Sequence, residues 1–345
     1  MDQTAARRAI VTDTMPKSSR RALLQAAVGI GLSMIPVPAL ANFLERFFGQ
    51  KEPKLTTQIT PNDDFYVTSY QSPPTIRIND WSLSISGLVQ RPATLTYEAL
   101  LARPTVSQIV TLECVGNTVA GEFMSTAEWA GIPLRSILEE AGISDQTYDI
   151  VFQAADGFSD SIRYESAMAG DVILAHTMNG VRLPPGHGFP VRVIVPGHYG
   201  MKSVQWLTKI EAVAYDHKGY YQRKGWTEEA VIKTMSRIDF PGHGATVHGP
   251  SQKVQGLAFA GSRGIRLVEV STDGGRDWEP ATLEDPFSPY AWRFWSYAWT
   301  VPAAGRYSLL VRATDGTGSL QTSVEQEPAP DGATGLHDIT VTVML

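Results

Sequence analysis

The stretch Ile109-Val-Thr-Leu-Glu-Cys-Val-Gly-Asn117 contains Cys114, the only cysteine of the 345-residue chain. Apolar, β-prone residues precede the cysteine and Gly116-Asn117 favours a turn, so we expect the sulfur where a strand gives way to a loop. Such a position suits a metal ligand. It also suits a buried cysteine without a function, which is the more common fate of a lone cysteine.

Composition limits the classes of protein that the chain can belong to. With 43% hydrophobic and 19% charged residues, it is a globular protein able to bury one or two cores. A formal net charge of −6 and a pI near 5.7 argue against nucleic-acid binding, which needs a clustered basic surface. A single cysteine excludes an intrachain disulfide, so stability must come from packing.

The first residues have the pattern of an export signal. Arg20-Arg21 directly precede an apolar run at residues 22–40, and Ala39-Leu40-Ala41 offers a small-x-small cleavage site. We predict a twin-arginine signal peptide at 1–41, a linker at 42–54 and a periplasmic protein. A membrane anchor and a Sec-type signal are the alternatives. Twin-arginine export carries folded proteins, which points to a cofactor inserted before export.

The mature chain divides into two predicted domains, giving an α+β fold. Residues 55–247 mix strands with short helices, including one that begins after Pro133 and ends at Gly142. A Pro- and Gly-rich stretch at 241–250 marks the boundary, and residues 248–345 contain regularly spaced short strands. That spacing predicts an immunoglobulin-like β-sandwich without its disulfide.

Several common chemistries lack their motifs in this sequence. It has no phosphate-binding Gly-x-x-x-x-Gly-Lys loop, no Gly-x-Gly-x-x-Gly after a strand, no His-Glu-x-x-His and no Cys-x-x-Cys-His haem motif. Zinc binding by cysteine pairs is impossible, while a nucleophilic Cys–His pair remains formally open. His187 and Arg192, taken singly, are typical of a surface-loop histidine and a strand-edge charge.

Three motifs in the same order resemble the sulfite oxidase family of molybdopterin enzymes, over about residue 60 to the C-terminus. Thr111-Leu-Glu-Cys-Val-Gly-Asn117 is similar to the family's molybdenum-ligand loop. Met178-Asn-Gly-Val-Arg-Leu-Pro-Pro-Gly-His-Gly-Phe-Pro-Val-Arg192 is similar to its pterin-binding segment. Val268-Glu-Val-Ser-Thr-Asp-Gly-Gly-Arg-Asp-Trp278 is similar to the start of its C-terminal dimerisation sandwich.

The resemblance implies a molybdenum–molybdopterin cofactor in which Cys114 makes the only protein bond to the metal. A thiolate suits such a metal, and the bond would protect the thiol in an oxidising compartment. The implied cofactor-binding residues are Tyr66, Val67, Thr68, Ser69, Tyr70, Cys114, Asp156, His187, Arg192, Lys202, Ser203, Val204 and Gln205. The implied catalytic residues are Cys114, Trp226 and Tyr70.

The sequence departs from the family at the residues that hold the substrate anion. Sulfite oxidases typically use an arginine-lined pocket, but Thr68, Val119 and the arginine-free residues 332–335 occupy the matching positions here. Trp226 takes the place of the family's active-site tyrosine, and Tyr70 that of a histidine. Losing three cations should weaken binding of a dianion. Candidate compensating charges are Arg135, Arg223 and Lys224.

We therefore predict two-electron oxo transfer on a small-molecule oxo donor or acceptor that is not a sulfite dianion. Electrons would be exchanged with an external carrier, a cytochrome c or a quinol-linked protein, and the sandwich would form a homodimer. The alternatives are a sulfite dehydrogenase or oxidase with a rearranged anion pocket, an S-oxide or N-oxide reductase, and a non-catalytic β-sandwich protein.

Overall fold

The first domain is built on two β-sheets joined by short helices. The computed structural model describes residues 56–345, so the predicted signal peptide and linker lie outside the described residues. Its strands are β1 (Ser82–Gly87), β2 (Ala93–Thr96), β3 (Val106–Glu113), β4 (Met124–Pro133), β5 (Asp149–Ala154), β6 (Ser159–Arg163), β7 (Ile173–Met178), β8 (Val181–Arg182), β9 (Arg192–Ile194) and β10 (Leu207–Val213). Its helices are α1 (Tyr97–Leu101), α2 (Leu134–Ala141) and α3 (Tyr164–Met168).

One sheet has the order β2-β1-β10-β5-β6, and the other has the order β3-β4-β7-β8 with β9 paired to β7. Helix α2 packs its apolar residues into the core beside the first sheet. It follows Pro133 and ends at Gly142, whose φ of 67° is left-handed and favours glycine. This helix was predicted from the sequence with the same bounds.

Strand β3 delivers the cysteine to the edge of the second sheet. It ends at Glu113, and the Cys114 N–H donates to the Phe123 carbonyl at 2.9 Å to open a loop. The expected strand-to-loop position of Cys114 is therefore confirmed. The segment around Tyr66 is irregular, and the Tyr66 N–H donates to the Ser125 hydroxyl at 3.2 Å.

The second domain is a sandwich of two sheets, ordered β11-β13-β17-β16 and β12-β19-β18-β14-β15. Its strands are β11 (Met235–Phe240), β12 (Thr246–His248), β13 (Ser251–Phe259), β14 (Ile265–Ser271), β15 (Glu279–Pro280), β16 (Thr282–Leu283), β17 (Arg293–Thr300), β18 (Gly305–Asp315) and β19 (His337–Met344). Buried Trp295, Trp299 and aliphatic side chains fill the space between the sheets.

The boundary predicted near residue 248 is too late. Strands β11 and β12 precede it but belong to the sandwich, where β11 pairs with β13 and β12 pairs with β19. The Pro- and Gly-rich stretch is the connection by which the chain passes from one sheet to the other, not a linker between domains. Within residues 56–345, no helix is both long and apolar enough to cross a membrane.

A loop of the sandwich covers the outer edge of β3, and we call residues 288–292 the edge loop. The Thr111 N–H donates to the Tyr290 carbonyl at 3.0 Å, and the Trp292 N–H donates to the Thr111 hydroxyl at 3.0 Å. The Ser288 hydroxyl donates to the Ile109 carbonyl at 2.6 Å. The strand that ends at Cys114 is therefore held by both domains.

Candidate active site

Cys114 opens into a pocket with about 660 Å³ of empty space, part of it open to solvent. Its walls come from the end of β3, the irregular segment 65–70, the turn after β5, the loop 200–206 and Tyr221. Most of the residues predicted from the sequence to bind a cofactor line this pocket. They are Tyr66, Thr68, Ser69, Tyr70, Cys114, Asp156, Arg192, Ser203, Val204 and Gln205.

Three of the predicted cofactor-binding residues lie elsewhere. The Lys202 ammonium does not line the pocket and contacts the Asp160 carboxylate at 2.8 Å, so its charge is already paired. His187 is buried behind Phe65, with its Nε2 2.9 Å from the Asn62 carbonyl oxygen. Val67 is half exposed and does not line the pocket. These side chains can act on the pocket only through their neighbours or their backbone.

The Cys114 thiol would have to lose its proton before its sulfur could bind a metal ion. Burial raises the pKa of Cys114 above its ordinary value, and hydrogen bonds from the Gly116 N–H and the Thr68 hydroxyl oppose that rise. A bound metal ion would displace the proton and take the thiolate. Thr68, which stands where the family would place an arginine, therefore contacts the sulfur itself.

Arg192 is the cation at the floor of the pocket. Its two terminal nitrogens donate to the His187 and Ser203 carbonyl oxygens, both at 3.0 Å, and its guanidinium lies over the Trp129 ring. Burial lowers the pKa of Arg192 to about 10, so it remains charged at neutral pH. Its two main-chain bonds fix the guanidinium in place beside the pocket.

Buried polar atoms without partners show that the pocket is built for a polar ligand. Of the buried side-chain atoms without a hydrogen-bond partner in the described residues, three belong to residues that line the pocket: Arg192 Nε, Asp156 Oδ2 and Gln205 Oε1. Such atoms are costly in a native protein unless a ligand or water satisfies them. One donor and two acceptors beside a free thiol fit a molybdopterin, whose fused rings carry both kinds of group.

Tyr221 is among the pocket-lining residues that the sequence did not single out. Tyr221 lines the pocket, while Trp226, predicted as catalytic, packs edge-on behind it with the ring centroids 5.9 Å apart. Burial, followed by the nearby Cys114 charge, raises the pKa of Tyr221 to about 12. Its phenol therefore stays protonated and can donate a hydrogen bond. Tyr70 does line the pocket, with its ring 4.7 Å from that of Tyr220.

Comparisons with known proteins show the family of the chain. The model of the oxidoreductase molybdopterin binding domain matches residues 70–221, and that of the Mo-co oxidoreductase dimerisation domain matches residues 228–327. Sulfite oxidase from Gallus gallus is 30% identical over 311 residues, which cover 76% of this chain and 68% of that protein. The chain belongs to the sulfite oxidase family. It is a molybdopterin-dependent oxidoreductase, as the motifs predicted.

The nitrate reductases that the chain resembles match it over only part of their own length. An NAD(P)H nitrate reductase from Betula pendula is 30% identical over 74% of this chain, but the match covers only 36% of that protein. The chain thus spans about a third of the nitrate reductases that it matches. The solved sulfane dehydrogenase SoxCD from Paracoccus pantotrophus has the same fold, with a TM-score of 0.72 and 23% identity over 85% of each chain.

Few charged side chains line the pocket. The charged side chains that line it are Asp156 and Arg192. The candidate compensating cations do not reach it: Arg135 pairs with Glu139 on the exposed face of α2, Arg223 donates to the Lys218 carbonyl, and Lys224 does not line the pocket. Val119 and residues 332–335 do not line it either.

Proposed function

We propose that this enzyme transfers an oxygen atom to or from a small substrate that does not carry two negative charges. The molybdopterin supplies the two-electron oxygen-atom transfer chemistry when it is bound. The observation that carries the proposal is the charge of the pocket, which is lined by one carboxylate, Asp156, and one guanidinium, Arg192, already committed to two carbonyl oxygens.

Electrostatics favours an uncharged substrate in such a pocket. An opposite charge at about 4 Å is worth roughly 4 kcal/mol near a protein surface, and a dianion would lack those partners here while facing Asp156. The rest of the lining is partly apolar, with Phe158, Met201 and Tyr221. An S-oxide, an N-oxide or the corresponding reduced compound matches this lining better than sulfite does.

The side chains around the pocket have distinct roles in this proposal. Cys114 would hold the metal through its sulfur, and Arg192 would hold the pterin with its unpartnered Nε. Tyr221 would donate a hydrogen bond to an oxygen of the bound substrate, which its raised pKa allows at any physiological pH.

Electrons would pass one at a time to or from a separate carrier, a cytochrome c or a quinol-linked protein, since the sequence contains no haem-attachment motif. The match of residues 228–327 to a dimerisation domain supports a homodimer.

Arg20-Arg21 before an apolar run supports export to the periplasm by the twin-arginine route. Replacing both arginines by lysine should keep the protein in the cytoplasm in cell fractionation.

A metal measurement and a substrate panel on one sample test the proposal. Protein from a molybdopterin-competent host should contain molybdenum and should turn over sulfoxides or N-oxides with a reduced viologen, while sulfite with cytochrome c gives weak or no activity. Efficient turnover of micromolar sulfite would instead favour a sulfite dehydrogenase with a rearranged anion pocket. A well-folded protein without molybdenum would contradict both.

A further inference from the structure

A buried ion pair lies directly behind the pocket wall. Lys202 Nζ is 2.8 Å from Asp160 Oδ1, and the two side chains are 5% and 0% exposed. Lys202 also donates to the Ser161 carbonyl at 2.9 Å. Gln222 donates from Nε2 to both Asp160 oxygens, at 3.2 and 3.3 Å. The Asp160 carboxylate therefore joins two side chains from distant parts of the sequence.

Each of these three side chains stands within two residues of the pocket lining. The lining residues concerned are Phe158, Met201, Ser203 and Tyr221. Asp160 lies in β6 after the turn, Lys202 lies in the 200–206 loop, and Gln222 begins the short 3-10 turn that follows Tyr221. The Asp160 carboxylate therefore links three segments that each contribute residues to the pocket lining.

The segment that carries Tyr221 packs its rings against Phe158, just before β6, with the ring centroids of Tyr220 and Tyr221 6.3 and 6.1 Å from that of Phe158. Its beginning is held by the backbone, where the Tyr220 N–H donates to the Ser159 carbonyl at 3.1 Å. A Cβ on Gly219 would lie 2.5 Å from that same carbonyl oxygen, so the approach requires a glycine. After Tyr221, the Gln222 side chain again connects the segment to β6 through its hydrogen bonds to Asp160.

We infer that Asp160 is a positioning residue, which through Gln222 sets the place of Tyr221 in the substrate pocket. A buried ion pair adds little stability over apolar packing, but its charge-assisted hydrogen bonds are directional and can fix a wall. The inference rests on the proposed role of Tyr221 in oxygen-atom transfer. Asp160 and Gln222 would then influence activity without contacting either the substrate or the cofactor.

The test uses full-length holoenzyme with Gln222→Met, which keeps the size but removes the donor, and Gln222→Glu, which sets a like charge against Asp160. Gln146→Met on an exposed loop is the matched control. Gln222→Met should keep its molybdenum and pterin content while kcat/KM falls about tenfold to a hundredfold, because small displacements of a positioned group cost that much. The loss should appear mainly in kcat, and it should be larger in Gln222→Glu.

Amide hydrogen exchange of residues 219–226 gives a second measurement that does not depend on turnover. Exchange there should be faster in both Gln222 variants than in Gln146→Met and the parent. The inference would be overturned if exchange were unchanged and kcat/KM stayed within about twofold of the control. A twofold change is smaller than the loss expected when a positioned group is displaced. If the parent turns over no oxo substrate, the proposed function fails and the exchange measurement alone tests the positioning role. Faster exchange in the Gln222 variants would then support it, and unchanged exchange would contradict it.

Discussion

The pocket contains one thiol, and the substitution Cys114→Ala tests what that thiol does. We expect turnover to be lost while the protein folds and retains part of its pterin, because Arg192 and the other polar groups of the pocket stay in place. Activity, molybdenum content and melting temperature should be measured on the same preparations. A Cys114→Ala enzyme with undiminished turnover would contradict the role of the sulfur as a ligand.

Tyr221 and Trp226 can be separated by one pair of substitutions. Tyr221→Phe should lower kcat/KM by about 100-fold, because it removes a hydrogen-bond donor from the pocket, whereas Trp226→Phe should cost less because Trp226 only packs behind that ring. Burial raises the pKa of Tyr221 to about 12, so the phenol stays protonated below that value.

The loss in Tyr221→Phe should therefore be the same at about pH 6 and about pH 9, since the donor is present at both. Steady-state kinetics at the two values checks this. A larger loss for Trp226→Phe than for Tyr221→Phe would restore the prediction made from the sequence.

Sequence motifs located residues at the pocket, but they did not show where each side chain points. Cys114, Asp156 and Arg192 lie at or next to strand ends. At these positions the predicted backbone conformation also determines that the side chain faces the pocket. Lys202 lies in a 3-10 turn, and the turn directs its ammonium to Asp160 on the far side. Tyr221 was missed although a second tyrosine beside it marked the segment, because the motif aligned on Trp226.

At the scale of elements, the contact between β3 and the edge loop can be tested at Thr111. Its hydroxyl accepts from the Trp292 N–H at 3.0 Å and is also hydrogen-bonded to the Thr126 hydroxyl. Thr111→Val keeps the shape but leaves two buried partners unpaired, so we expect a loss of about 1–3 kcal/mol in the free energy of unfolding.

Chemical denaturation measures this loss, with Thr94→Val on the exposed face of β2 as the control. The control should lie within about 0.5 kcal/mol of the parent, as surface substitutions usually do. Equal effects of the two substitutions would show that the edge loop contributes nothing through Thr111.

Elements with their own periodicity were predictable, and elements defined by a partner were not. Helix α2 follows a local apolar pattern and was predicted at its observed position, and the regular spacing of β-prone runs predicted strands throughout residues 248–345. Strands β8, β15 and β16 have two residues each and exist only because a neighbour pairs with them. The domain boundary was misplaced for the same reason, since the pairing of β12 with β19 spans about a hundred residues of sequence.

For the whole molecule, Asp315 joins the sandwich to the segment that leads into it from the first domain. Its carboxylate accepts hydrogen bonds from Arg263 Nε at 2.8 Å and from the Thr234 hydroxyl at 3.1 Å. Arg263 in turn donates to the Ile232 carbonyl at 3.0 Å. Burial alone would raise the pKa of Asp315, but hydrogen bonds from Thr317, Arg263 and the Ser319 N–H outweigh it and hold the pKa well below the ordinary value.

The stability that this carboxylate contributes should depend on pH. Because its folded-state pKa is lowered, the contribution is complete above the unfolded value of about 3.9 and is lost as the pH falls through the folded value. Asp315→Asn should cost roughly 2–4 kcal/mol at neutral pH. Melting temperatures of the parent and Asp315→Asn should converge in acid, and a gap that widens below about pH 4 would contradict the assigned sign.

The cover that the edge loop provides for β3 has a consequence for any attempt to shorten the chain. β3 is the outermost strand of its sheet, and an uncovered outer strand offers its free amides to other molecules. A fragment that ended after the first domain would present such a strand directly before Cys114. Such a fragment should be prone to aggregation, so a minimal version of this enzyme should keep residues 288–292 or replace them with another cover.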